Sequence, residues 1–165
     1  MVPSGQTSKE YFNTLTIIHA GLLVAQVVFG AIAYFLKSNG MFESNSEETI
    51  SILILVGPLV AIGGIAASIM AGKGQMKIAK QKIDLKEKLA SYRTALLIKL
   101  ALLEMPTLFV IVCFLLSGKY FLLGFAGAIL ILFYIYRPTL DGIATDLELS
   151  PSDKKTIEDP NAIVG

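Results

Sequence analysis

Apolar residues gather along this chain in four runs separated by short polar breaks, and charge almost never interrupts a run. The first, 14–36, has Thr14, Thr16, His19 and Gln26 as its clearly polar members, and the second, 50–71, has no charge at all. The third, 94–117, contains Lys99, Glu104 and Pro106, and the fourth, 120–136, is uncharged and bounded by tyrosines before Arg137-Pro138. A hydrocarbon core about 30 Å thick needs about 20 apolar residues in helical form. Lipid offers no partner to a free backbone group, so such runs cross as helices. The pattern predicts an all-α, polytopic membrane protein with four transmembrane helices near 14–36, 50–71, 94–117 and 120–136.

Composition sharpens this picture. Of 165 residues, 54% are hydrophobic and 16% charged, and the mean hydropathy of +0.67 is too high for one small soluble globule to conceal. The net charge of +1 gives no basic surplus that would favour nucleic acid. Cys113 stands alone inside an apolar run and forms no internal disulfide. The polar segment 1–13 leads into a first run with no small-x-small cleavage pattern, which reads as a retained anchor and first span.

Charge sets the expected orientation. Between Lys73 and Arg93 lie Lys73, Lys77, Lys80, Lys82, Lys86, Lys88 and Arg93 against Asp84 and Glu87, a surplus of +5. The positive-inside rule puts this loop in the cytoplasm, and four crossings put both termini there, in the inner (plasma) membrane. Met76, Ala79, Ile83 and Leu89 follow a rough helical spacing, so the second and third helices are expected to continue into a basic cytoplasmic hairpin. Its cations suit topology and anionic headgroups, or the docking of a partner. Segment 138–165 reads as a partly ordered acidic cytoplasmic tail after a transmembrane domain at 14–137, with Ser150 placed to cap a short turn.

Two patterns inside the runs carry candidate chemistry. Gly57, Ala61, Gly64, Ser68 and Gly72 recur at helical spacing, a stripe that lets another helix approach closely, and Pro58 is expected to bend the same helix. Glu104 lies about 15 Å into the third helix and Gln26 about 18 Å into the first, while His19 and Lys99 share a level about 7–8 Å in. An ionised carboxylate at membrane depth costs about 2.5–3.5 kcal/mol on insertion scales, so Glu104 implies either a partner or a task. One reading is a polar lock that fixes which helices pair. The other is a proton or cation path using Glu104, with Gln26 as its hydrogen-bond partner and His19 as a residue type that titrates near neutrality. Lys99 is expected to snorkel toward the headgroups. With one histidine, bis-histidine haem is excluded within a single copy.

The stretch from Gly57 to Leu116 resembles the hairpin of rotor-ring c subunits of rotary ATP synthases and ATPases. The resemblance rests on the small-residue helix GPLVAIGGIAASIMAGKG, the connector Ala79-Lys80-Gln81-Lys82 and the acid-bearing helix ALLEMPTLFVIVCFLL. It implies Glu104 as ion carrier, Gly64 and its neighbours as the packing face, and Lys80-Gln81 as the connector tip.

Enzyme chemistry finds no foothold: HExxH, CxxC, GxxxxGK[ST] and a serine elbow are all lacking, and Gly72-Lys73-Gly74 is a helix-end break. Asp141, Asp146 and Glu148 do not have EF-hand spacing, so no metal or other cofactor is expected. The expected partners are the lipid bilayer and other membrane proteins or a second copy. The leading expectation is an accessory or structural subunit acting through helix packing. An ion-binding subunit using Glu104 and a docking protein using loop 73–93 stand as alternatives.

Overall fold

The computed structural model describes residues 5–42 and 45–165, and these are helical apart from turns and one isolated bridge. Six helices follow in order: α1 Ser8–Ser38, α2 Glu47–Lys80, α3 Leu85–Ser117, α4 Phe121–Ile135, α5 Leu140–Asp146 and α6 Pro151–Glu158.

Local chemistry fixes the ends. At the start of α1 the Thr7 amide donates to Glu10 Oε2 at 2.9 Å and the Glu10 amide donates to Thr7 Oγ1 at 3.3 Å, a reciprocal capping box. The Thr7 amide holds the Glu10 carboxyl below its ordinary range. At the other end Met41 N donates to Leu36 O and Gly40 N to Lys37 O, with Gly40 at φ +67°, the left-handed closure that glycine adopts without steric cost. Thr139 caps α5 through Gly142 N, and Ser150 caps α6 through Asp153 N with Pro151 in the first turn.

The three long helices have 31, 34 and 33 residues, about 46–51 Å each, so they outrun the hydrocarbon core. All three are long and apolar enough to cross a membrane. The expected fourth span is shorter than its run: α4 has 15 residues, about 22 Å, and a fourth crossing is counted only when α4 and α5 form one broken span. α2 continues through Pro58, and α3 through Pro106.

Contacts divide the chain into two compact units. One, the apolar unit, comprises Gly21–Ser68 and Leu100–Tyr136. Its core joins Leu103, Val110, Ile111 and Phe114 of α3 to Leu122, Ile129 and Phe133 of α4, all buried. Val24, Val27, Leu55, Leu59, Ile62 and Ile131 lie outward, an apolar exterior far larger than a water-soluble surface tolerates but suited to lipid. Tyr120 stacks against Phe114 and Tyr34 at centroid distances of 5.4 and 6.2 Å, an aromatic cluster of interfacial type.

The other, the terminal unit, gathers the residues up to Ala20, Ile69–Lys99 and Arg137–Gly165. Here Thr7 and Ile163 form an antiparallel bridge, Ser8 N donates to Ala162 O at 2.8 Å and Val164 N to Gln6 O at 2.9 Å. Tyr11 Oη donates to Leu89 O at 2.7 Å, and Ser8 Oγ donates to Ile157 O. The segment expected to be a partly ordered tail is therefore folded, because Ile143, Leu147 and Ile157 have an apolar core to enter. The spacing through Met76, Ala79, Ile83 and Leu89 holds only in part. Ala79 and Leu89 are buried, whereas Ile83 falls in the turn between α2 and α3 and is 96% exposed.

Candidate functional site

The small-residue stripe of α2 meets helices of its own chain. A methyl group added at Gly57 would lie 3.0 Å from Leu122 Cδ2 and 3.6 Å from Cys113 Sγ. One added at Gly64 would overlap Pro106 Cγ and lie 2.8 Å from Pro106 Cβ and 3.2 Å from Leu102 O. Ala61 and Ser68 are fully buried. In the terminal unit, Gly72 receives the aliphatic stem of Lys99, whose Cδ would be 3.1 Å from an added Cβ. The stripe thus seats α3 and α4 of its own chain, while Gly64, half-buried, also borders an open surface.

Beside the stripe lies a surface that is open. Val60, Gly63 and Ala67 of α2 face Leu102, Met105 and Phe109 of α3 across a shallow apolar groove of about 380 Å³. Met105 is 72% exposed, and an added methyl at Gly63 meets nothing within 4 Å.

The four candidate residues of the polar layers divide between the units: Gln26 and Glu104 belong to the apolar unit, His19 and Lys99 to the terminal one. Gln26 is fully buried. Its Nε2 donates to Leu22 O at 3.1 Å within α1, and its Oε1 has no partner among the described residues. Glu104 is half-buried on α3, and no hydrogen bond joins it to Gln26 among the described residues. The expected Gln26–Glu104 bond is not made among the described residues, where the one bond of the Gln26 amide is to its own helix. His19 is buried and Lys99 is half-buried.

The basic loop carries its own counter-charges. Lys80 Nζ donates to Glu148 Oε1 at 2.7 Å, holding that carboxyl below its ordinary range, and Lys82 lies 3.6 Å from Glu87. Segment 138–165 has six acidic residues against two basic ones, opposite in sign to the loop. Lys73, Lys77, Lys86 and Arg93 remain at the surface, while Lys88 is half-buried. Burial pushes the phenols of Tyr11 and Tyr92 well up, and the neutral Tyr11 hydroxyl makes the bond to Leu89 O. Sequence reasoning missed Tyr11, Tyr92, Glu148 and Ser8. For Glu148 the one available signal was the opposition of charge between loop and tail.

A second cavity, about 490 Å³, opens in the terminal unit between the start of α1 and the segments around Leu140 and Glu158. No group of three or more His, Cys, Asp or Glu side chains able to hold a metal occurs among the described residues. Comparison with protein families, with curated proteins and with solved structures finds no match.

Proposed function

We propose that this chain is a four-span inner-membrane protein with both termini and the basic hairpin in the cytoplasm, acting as an accessory or interaction subunit through helix packing. The pairing of Thr7 with Ile163 supports an even number of crossings. Segments on opposite sides of a bilayer cannot bond, so three crossings would separate these residues. α4 then crosses despite its length, by local thinning of the bilayer or by snorkelling of its flanks. The surplus of cations in loop 73–93 assigns the shared side to the cytoplasm.

The observation that carries the interaction role is the open groove of Val60, Gly63, Ala67, Met105 and Phe109, where small residues beside large apolar ones suit a docked helix. A single cysteine at Met105 in a Cys113→Ser background tests it. Crosslinking in native membranes to a second copy or another membrane protein is expected, and its loss on Gly63→Leu should follow. Failure to crosslink in intact membranes would remove this reading.

The buried Oε1 of Gln26 favours one second reading, a proton- or cation-handling role for Glu104 of the kind the rotor-subunit resemblance implies. An unsatisfied acceptor at membrane depth costs about 1–3 kcal/mol and is answered by a protonated group, a water or an ion. Carbodiimide labelling of Glu104 that falls with rising pH or added sodium supports it. Absence of labelling at every pH removes it.

A further inference from the structure

The cavity of the terminal unit has a composition that neither proposed role uses. Its lining includes Lys9, Phe12, Asn13, Thr16, Leu140 and Glu158, within a volume of about 490 Å³. The α1 residues follow the spacing of one helix face, running from Lys9 toward the span. Lys9 lies five residues before Thr14, about 7–8 Å below the hydrocarbon boundary, which is headgroup depth. Next along α1, Ile17 is 70% exposed, an apolar side chain that suits a lipid tail.

One wall thus offers a cation, another an anion, with apolar surface from Phe12 and Leu140 between them. A phosphate would sit on the Lys9 ammonium, and an amine on the Glu158 carboxylate, which the chain itself pairs only loosely, with Lys154 Nζ at 3.9 Å. Asn13 and Thr16 add neutral oxygen acceptors. A primary ammonium has three donors for such acceptors, whereas a quaternary one has none and is recognised by clustered aromatic faces. Among the described residues Phe12 is the sole aromatic of the lining. We propose that this cavity binds the headgroup of a zwitterionic aminophospholipid of the phosphatidylethanolamine type, phosphate toward Lys9 and amine toward Glu158. This goes beyond the helix-docking role and does not depend on it.

The test uses the full chain in phosphatidylcholine nanodiscs doped equally with phosphatidylethanolamine and phosphatidylglycerol, with retained lipid counted by native mass spectrometry. Phosphatidylethanolamine should be retained in preference to the other two. Glu158→Gln should lower that preference about tenfold, and Lys9→Gln, which removes the partner of a phosphate that all three lipids carry, should lower the retention of all three about tenfold, each the effect of losing one hydrogen bond to a charged group. Lys155→Gln, exposed and outside the lining, should leave it unchanged. Both test residues are exposed, so folding is preserved, and helical circular dichroism checks this. Equal retention of the three lipids, a preference untouched by Glu158→Gln, or a total retention untouched by Lys9→Gln would overturn the proposal. Displacement by free phosphoethanolamine at equal concentration would overturn the lipid assignment in favour of a soluble ligand.

Discussion

The two units of this chain are held by different physics. In the apolar unit the fastenings are mostly steric, Gly57 against Leu122 and Cys113, Gly64 against Pro106, Phe114 against Tyr120, with one exposed hydrogen bond, Asn45 Nδ2 to Leu116 O at 3.2 Å, before the start of α2. In the terminal unit they are polar: the Thr7–Ile163 bridge, the Tyr11–Leu89 bond, the Lys80–Glu148 pair. On the proposed four-span topology the contrast follows the two solvents. Lipid is as apolar as leucine, so burial gives helices no drive to associate there, and close backbone approach supplies the attraction. Where water is present, apolar burial is again favourable, and hydrogen bonds and charges select which segments meet.

That contrast can be broken first at its steric side. Gly64→Ala forces a methyl onto Pro106 and is expected to cost about 1–3 kcal/mol, as overpacking does, while Gly63→Ala, one residue away and facing open space, should cost nothing. Thermal unfolding of the two variants in detergent measures the difference, and equal midpoints would contradict the packing described.

A smaller loss is expected in the terminal unit. Tyr11→Phe removes the donor to Leu89 O and should cost about 1 kcal/mol, the net worth of one buried hydrogen bond. Proteolysis within segment 138–165 should quicken with it, because the N-terminal segment and the two tail helices belong to one unit. A variant with wild-type midpoint and cleavage would separate them.

The smallest effect belongs to Glu148, an exposed residue at φ +50°, where side chains other than glycine are strained. Its carboxyl is held low by Lys80, so the pair's contribution is complete above the ordinary carboxylate range and is lost as pH falls through the lowered value. Glu148→Ala keeps the strain and loses the pair, so it should be the less stable variant and lack this acid dependence. Glu148→Gly loses the pair but relieves the strain, so its midpoint should stay near wild type. Unfolding midpoints measured across acidic pH at low and high salt resolve the three proteins, and high salt should shrink the wild-type advantage.

The apolar side of this contrast was legible in the sequence. Runs 14–36, 50–71 and 94–117 lie inside α1, α2 and α3, because a long uncharged run in helical form has one destination. The stripe from Gly57 to Gly72 announced close packing but not its partner, since spacing on one helix does not name the helix opposite. The terminal unit was largely hidden. Ser8 and Ile157 stand 149 residues apart and Lys80 and Glu148 stand 68 apart, and no local pattern links such pairs. Thr7-Ser8-Lys9-Glu10 was readable as a capping box, and it places the start of α1 before its apolar run. Gln26 and Glu104 share a depth, yet depth fixes neither rotation nor hydrogen bonding, and Gln26 turned to Leu22.

The central claim is that both ends of the chain and the loop between α2 and α3 lie on one side of the membrane. Single cysteines at Ile83, Ser152 and Ser46 in a Cys113→Ser background, probed with an impermeant maleimide in sealed right-side-out and inverted vesicles, test it directly. The account predicts labelling of Ile83→Cys and Ser152→Cys from the cytoplasmic face alone and of Ser46→Cys from the opposite face alone. Labelling of Ile83→Cys and Ser152→Cys from opposite faces would contradict it.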